Sequence, residues 1–139
     1  MVRIQGEPID TAGLIESVRD PRAGAVLTFL GTAREAEGER LVLLEYEAYR
    51  PMAEKFLAEL EAELHARHDI RKAAIVHRVG PVALGEVSIA IAVSSAHRAA
   101  GFDALRHAIE AIKEKAPVWK KEITQRGGRW VEVEKMEGG

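Results

Sequence analysis

Hydrophobic and polar positions along this chain repeat with two periods, and the switches between them outline a mixed fold. Val2–Gln5 reads as a short strand, after which Asp10 or Thr11 caps a helix with Leu14, Ile15 and Val18 on one face. Ala23–Gly31 is an apolar run, which predicts a strand buried on both faces. Thr32–Arg40 is polar and glycine-containing, hence a loop. In Leu41–Tyr49, Leu41 and Leu43 alternate against Val42, Leu44 and Tyr46, a strand pattern. Arg50–Asp69 returns to the helical period through Met52, Phe56, Leu57, Leu60 and Leu64.

Two further apolar runs, Ala73–Val79 and Val87–Ser94, flank Gly80–Gly85, which predicts antiparallel strands around a turn. A second long helix is expected over Arg98–Lys115, carried by Phe102, Leu105, Ile109 and Ile112 and ended by Pro117. Trp119–Thr124 and Arg129–Glu134 then form a hairpin about Gln125-Arg126-Gly127-Gly128. Strands and helices mix without strict β-α-β repetition, so the class is α+β rather than a doubly wound sheet.

Composition narrows the chemistry. The 139 residues suffice for one domain spanning 1–139, with a core that requires no covalent or metal staple. There is no cysteine, which removes disulfides, thiolate metal sites and any cysteine nucleophile or persulfide carrier. No stretch without a charged residue exceeds eleven residues, about half of the roughly 20 that a spanning helix needs. The N-terminus has no apolar signal core, so neither a membrane nor export is expected and the cytoplasm is the default location.

The net charge of −2 argues against non-specific nucleic-acid binding. Its distribution is uneven. Residues 35–69 hold ten acidic against four basic residues, whereas 113–135 hold seven basic against four acidic, so a cationic site is expected toward the C-terminus.

Individual residues sharpen that expectation. His97-Arg98 lies where a strand gives way to a helix, and first-turn amides with two cationic side chains suit a phosphate there. The alternative is that Ser95 caps the helix while both side chains face water. His77-Arg78 sits inside a strand, where alternation sends the pair to opposite faces in a structural role. Lys113 projects about 20° from Phe102, on the shoulder of the expected apolar stripe. It either snorkels to water or is desolvated enough to act as a base or nucleophile.

Lys120 and Glu122 share one face of the last expected strand pair, with Trp119, Lys121 and Ile123 on the other. Pro117 turns the chain so that Lys113 and Lys120 can border one pocket, although an edge strand with protective lysines reads the same way. Arg34, after a glycine and a buried strand, is well placed as an anion ligand. Glu45, Tyr46, Glu47 and Tyr49 fit either a cleft or a half-exposed sheet face. His65 and His68 stand at i and i+3 without a third ligand, so a metal site is rejected. The terminal Gly138-Gly139 is read as a frayed end.

Taken in order, several segments resemble the MoaE family, the large catalytic subunits of molybdopterin synthase. They are Gly24–Arg34, Leu44–Tyr49, His77–Gly80, His97–Phe102, Lys113, Ala116–Glu122 and Trp130, together spanning nearly the whole chain. The resemblance implies an α/β hammerhead-type domain with an additional antiparallel β subdomain. It implies insertion of two sulfurs into cyclic pyranopterin monophosphate, giving the dithiolene that later holds molybdenum. Sulfur arrives as the C-terminal thiocarboxylate of a small ubiquitin-like carrier subunit, whose Gly-Gly tail enters the large subunit. A homodimer within a heterotetramer is the implied assembly, with no cofactor or metal of its own.

By matching position, the resemblance makes Lys113 and Lys120 catalytic, and Arg34, His97 and Arg98 the phosphate and pterin ligands. Thr32, Ala33, Lys121 and Glu122 line the pocket, and Phe29 matches an aromatic near it. Ala33 replaces a valine frequent in relatives, and the C-terminal tail is shorter. Cations gathered on a phosphate and a thiocarboxylate would neutralise the charge that keeps the reactants apart. The rival readings are a non-catalytic phosphate- or nucleotide-binding module and a scaffold that only docks the carrier.

Overall fold

The computed structural model describes residues 1–35, 41–124 and 127–131. The end of the Thr32–Arg40 loop, the Gln125-Arg126 turn and the terminal glycines lie outside the described residues. Eight strands and three helices are described, in the order β1 Val2–Gln5, α1 Thr11–Val18, β2 Ala25–Thr32, β3 Leu41–Ala48, α2 Arg50–Arg67, β4 Ile70–Arg78, β5 Gly80–Ala83, β6 Val87–Ser95, α3 Arg98–Lys115, β7 Val118–Thr124 and β8 Gly127–Val131.

The strands form two sheets, β1-β4-β6-β2 and β5-β3-β7-β8. In the first, β1 runs parallel to β4 and the other neighbours are antiparallel; the second is antiparallel throughout. The α+β reading holds, with the second sheet as the added antiparallel unit. Helices α2 and α3 cover one face of the first sheet, and α1 covers part of the other.

Local chemistry explains the helix ends. Asp10 accepts the Gly13 N–H and caps α1. Pro51 enters α2 in its first turn, where a missing N–H costs no hydrogen bond. Pro117 stops α3 after Ala116, whose N–H closes the last turn on the Ile112 carbonyl. Leu57, Leu60 and Leu64 of α2 join Ile75, Ile91 and Val93 of the first sheet and Leu44, Val82 and Val118 of the second in one core. Each buried leucine contributes roughly 2 kcal/mol of hydrophobic stabilisation.

Several expectations are corrected. The Ala23–Gly31 run is not buried on both faces, because β2 is the edge of its sheet and Val26 and Leu30 are 40% and 43% exposed. Helix α1 packs chiefly on β6 and β4 and only lightly on β2, which leaves Val26 and Leu30 uncovered. Gly80–Gly85 is not simply a turn. Gly80, at φ +87°, swings the chain into the second sheet, where β5 pairs with β3, and the turn itself is Leu84-Gly85. Gly127 and Gly128 belong to β8 rather than to the hairpin turn, since Thr124 pairs with Gly127.

Helix faces also differ from the expected stripes. Met52 is exposed, and Ala53 takes its place in the core. On α3 the buried face is Gly101, Ala104, Ala108 and Ile112, with Phe102 59% exposed and Leu105 and Ile109 half-buried. Close approach to β2 and β6 selects small residues. A Cβ at Gly101 would collide with Leu27 and stand 2.7 Å from the Ser95 hydroxyl. His77 and Arg78 are both buried: His77 donates from Nδ1 to the Arg78 carbonyl, and Arg78 reaches the Pro81 carbonyl and Glu86, tying β4 to β5.

Candidate active site

The end of β2 is built to present Arg34. A register irregularity follows Gly31, where a Cβ would lie 2.6 Å from the Ile89 side chain, and the strand bends there. The Ala33 N–H then donates to the Glu86 carbonyl at 3.0 Å and its carbonyl accepts from Gly85 N–H at 2.8 Å. Ala33 is buried by this clasp, while Thr32 and Arg34 are exposed on either side of it. Phe29 is half-buried against the main core, two residues before Gly31.

Across from this bend lie the end of α3 and the strand that follows it. Lys113 is half-buried in the last turn of α3. Pro117 reverses the chain into β7, whose core-facing side carries Val118, Lys120, Glu122 and Thr124. Register with β3 sets Tyr46 opposite Lys120 and Leu44 opposite Glu122.

Burial holds the Lys120 ammonium below the usual lysine range; Glu122 opposes that shift, and the positive charges of Lys113 and Arg34 reinforce it. Four of the expected residues, Lys113, Lys120, Arg34 and Glu122, are therefore electrostatic neighbours. Lys121 points to the opposite face of β7, where its ladder partner is Glu45.

His97 and Arg98 are elsewhere. His97 occupies the N-cap position of α3 without a side-chain cap bond, and Arg98 begins the helix; both are exposed. The Ser95 hydroxyl donates to the His97 carbonyl rather than capping the first-turn amides, so the expected serine cap is not formed. With Gly24, Ala25, Ala96 and Ala99, the pair borders a cleft of about 510 Å³. A Cβ at Gly24 would sit 2.8 Å from the Ala96 carbonyl, so glycine is what allows the β2 entry to close on the helix start.

Fifteen residues of helix separate Arg98 from Lys113, about 22 Å along the axis. The expected residues thus form two groups at opposite ends of α3, which one copy does not bring together.

The structure adds Ser88, which pattern reading did not single out, and turns inward Tyr46, which it left between a cleft and a half-exposed sheet face. Tyr46, 5% exposed, stands edge-on to His77, and burial, with the charge of Glu122, keeps its phenol above the usual range against the opposing effect of the neighbouring Ser88 hydroxyl. Ser88, 4% exposed, donates to the Gly31 carbonyl at 3.3 Å. A serine within the apolar run of β6 was the available signal. His68, one of the paired imidazoles set aside as a metal site, turns to His107 with Nε2 and Nδ1 2.9 Å apart.

Comparison with known proteins bears on this arrangement. The MoaE protein family model matches residues 4–115. The molybdopterin synthase catalytic subunit of Thermoplasma volcanium is 46% identical over 131 residues, 93% of this chain and 96% of that protein. The corresponding subunit of Bacillus subtilis is 48% identical over 125 residues, 89% of this chain and 80% of its own.

The crystal structure of molybdopterin synthase from Staphylococcus aureus superposes with a TM-score of 0.88 at 43% identity, over 93% of this chain and 95% of that one. A complex of subunits 1 and 2 of the molybdopterin-converting factor from Helicobacter pylori shares the fold, with a TM-score of 0.80 at 18% identity over 94% of this chain and 90% of that one. The chain belongs to the MoaE family.

Proposed function

We propose that this chain is the catalytic subunit of a molybdopterin synthase, a cytoplasmic sulfurtransferase in molybdenum cofactor biosynthesis. It converts cyclic pyranopterin monophosphate to the dithiolene with sulfur from the C-terminal thiocarboxylate of a small ubiquitin-like carrier. The observation that carries this reading is the convergence of Lys113 and Arg34 on a half-buried Lys120, with Glu122 beside it. Partly desolvated cations stabilise developing negative charge more strongly than solvated ones. Burial also brings a lysine nearer to proton exchange at neutral pH.

In this reading Lys113 is the main acid/base or covalent participant, and Lys120 orients the carrier's terminal carboxyl group. Arg34 holds the substrate from the end of β2. His97 and Arg98 bind the phosphate through their exposed side chains and the first-turn amides of α3. Because one copy keeps these groups about 22 Å apart, the pocket is completed by a second copy. A twofold axis across β2, the sheet edge with Val26 and Leu30 exposed, reverses the strand direction. It brings the partner's α3 N-terminal end beside this copy's Arg34 and Lys113.

The test is single-turnover conversion of the precursor by loaded carrier. Lys113→Ala is expected to form no dithiolene while still binding the carrier, and near-normal product from that variant contradicts the assignment. A phosphate-binding module or a docking scaffold would give no sulfurated pterin even with the unaltered chain.

A further inference from the structure

Tyr46 lies where the two sheets meet beneath the cationic cluster, and the reaction as proposed gives it no part. Its position on β3 is directly opposite Lys120 on β7. Cross-strand neighbours of this kind have Cβ atoms about 5 Å apart, so the ring forms a wall of the space Lys120 occupies. The ring stands edge-on to His77 of the first sheet, with centroids 5.2 Å apart and planes at 69°. Its hydroxyl neighbours Ser88 of β6, the residue before Ile89, which pairs with His77, and Ser88 donates to the Gly31 carbonyl of β2. Gly31 immediately precedes the bend that sets Thr32, Ala33 and Arg34.

A core position needs only an apolar side chain, and a buried hydroxyl is kept only where it is hydrogen-bonded. Here the contacts of Tyr46 with His77 and Ser88 cross from the Lys120-bearing sheet to the one whose edge strand carries Arg34. We propose that Tyr46 is a positioning residue: its hydroxyl, through Ser88 and the Gly31 carbonyl, sets the spacing between Lys120 and the β2 end that carries Arg34. This inference rests on the function proposed above. The charged groups facing Lys120 are Glu122 on its own strand, Lys113 from α3 and Arg34 from the end of β2, and Tyr46 faces it from β3.

Tyr46→Phe preserves the ring against His77 and removes only the tie. Its kcat is expected to fall about tenfold or more, as a displacement of catalytic groups by a fraction of an ångström would produce. The KM for the precursor should stay within about twofold, because Arg34 and the phosphate ligands remain. Water entering beside Lys120 should move the lysine-dependent limb of the pH–rate profile upward, a shift that loss of bulk stability alone would not cause. Ser88→Ala should reproduce the loss, and the double variant should be no slower than the slower single one. If Tyr46→Phe does not fold, Ser88→Ala carries the same test.

A Tyr46→Phe kcat within about twofold of the unaltered chain overturns the inference, as do effects of the two substitutions that multiply. Failure of the functional reading is separable: then the unaltered chain itself makes no dithiolene with loaded carrier. In that event, the pH dependence of Lys120 amine labelling, read by mass spectrometry, still decides. A shift toward ordinary lysine behaviour in Tyr46→Phe supports the positioning role, and an unchanged profile overturns it.

Discussion

The two ends of α3 both gather cations, but under opposite conditions. At the C-terminal end Lys113 and Lys120 are half-buried, a carboxylate stands among them, and three elements converge over a core with internal hydrogen bonds. At the N-terminal end His97 and Arg98 are exposed beside a cleft walled by glycine and alanine. Desolvation shifts lysine chemistry and strengthens electrostatics, whereas exposed cations at uncapped helix amides attract an anion and let it go. In the function proposed above, this difference gives the chemistry to one end and substrate capture to the other, on a helix too long for both to serve one pocket of a single chain.

Lys113→Ala should affect this comparison most. Turnover is expected to fall by about a thousandfold, the scale of a lost acid/base or charge-stabilising group. Arg98→Ala should instead raise the KM for the precursor about tenfold with a smaller change in kcat, as for the loss of one charge-assisted contact to phosphate. Steady-state kinetics with loaded carrier separates the two patterns. Equal kcat losses at both positions would break the division of labour.

Acid should separate the ends by stability. Burial pushes the His77 pKa down from 6.5 to about 4. Between those values the unfolded chain binds the proton and the folded chain does not. The contribution of neutral His77 is therefore complete above pH 6.5 and is lost as pH falls to 4, about 3 kcal/mol in all. Urea denaturation at pH 7.5 and pH 4.5 measures it, and His77→Gln should flatten the slope. Because His77 packs on Tyr46, amide exchange in β3 should rise on acidification before exchange at the α3 N-terminus does.

Overpacking at the other end should have a smaller effect. Gly101→Val inserts side-chain atoms against Leu27 and the Ser95 hydroxyl, and is expected to destabilise the fold by about 2 kcal/mol. The lost stability should be accompanied by a raised KM rather than by a change in the pH dependence of kcat.

Much of this was legible in the pattern of residues, and the gaps have physical causes. Periodicity located α2 and α3 because both contain several turns of amphipathic spacing, and Pro117 marked the end of α3. It misplaced the buried face of α3 because it weighted Phe102 by hydrophobicity, whereas close packing on β2 favours Gly101, Ala104 and Ala108. It misread β2 because an apolar run does not record which of its two faces the rest of the chain covers. Lys120 and Glu122 were paired correctly by alternation along a strand.

The separation of His97 from Lys113 was present in the length of α3 itself, yet motif order made them neighbours in one site. The pairing of Tyr46 with Ser88 was hidden for a different reason. Their contact joins strands from two sheets, and no local spacing encodes it.

Subunit mixing tests most directly the claim that the two ends of α3 from different copies share a pocket. Lys113→Ala and Arg98→Ala chains, each with little activity alone when the precursor is held well below the KM of the unaltered protein, are unfolded together, refolded at equal amounts and assayed for dithiolene formation under that condition. If the pocket spans two copies, each mixed dimer contains one site with both ends intact. Activity should then return to about a quarter of that of the unaltered protein, since half the dimers are mixed and each has one good site. If each chain builds its own pocket, every site keeps one defect, and activity that stays at the sum of the separate variants would contradict the account.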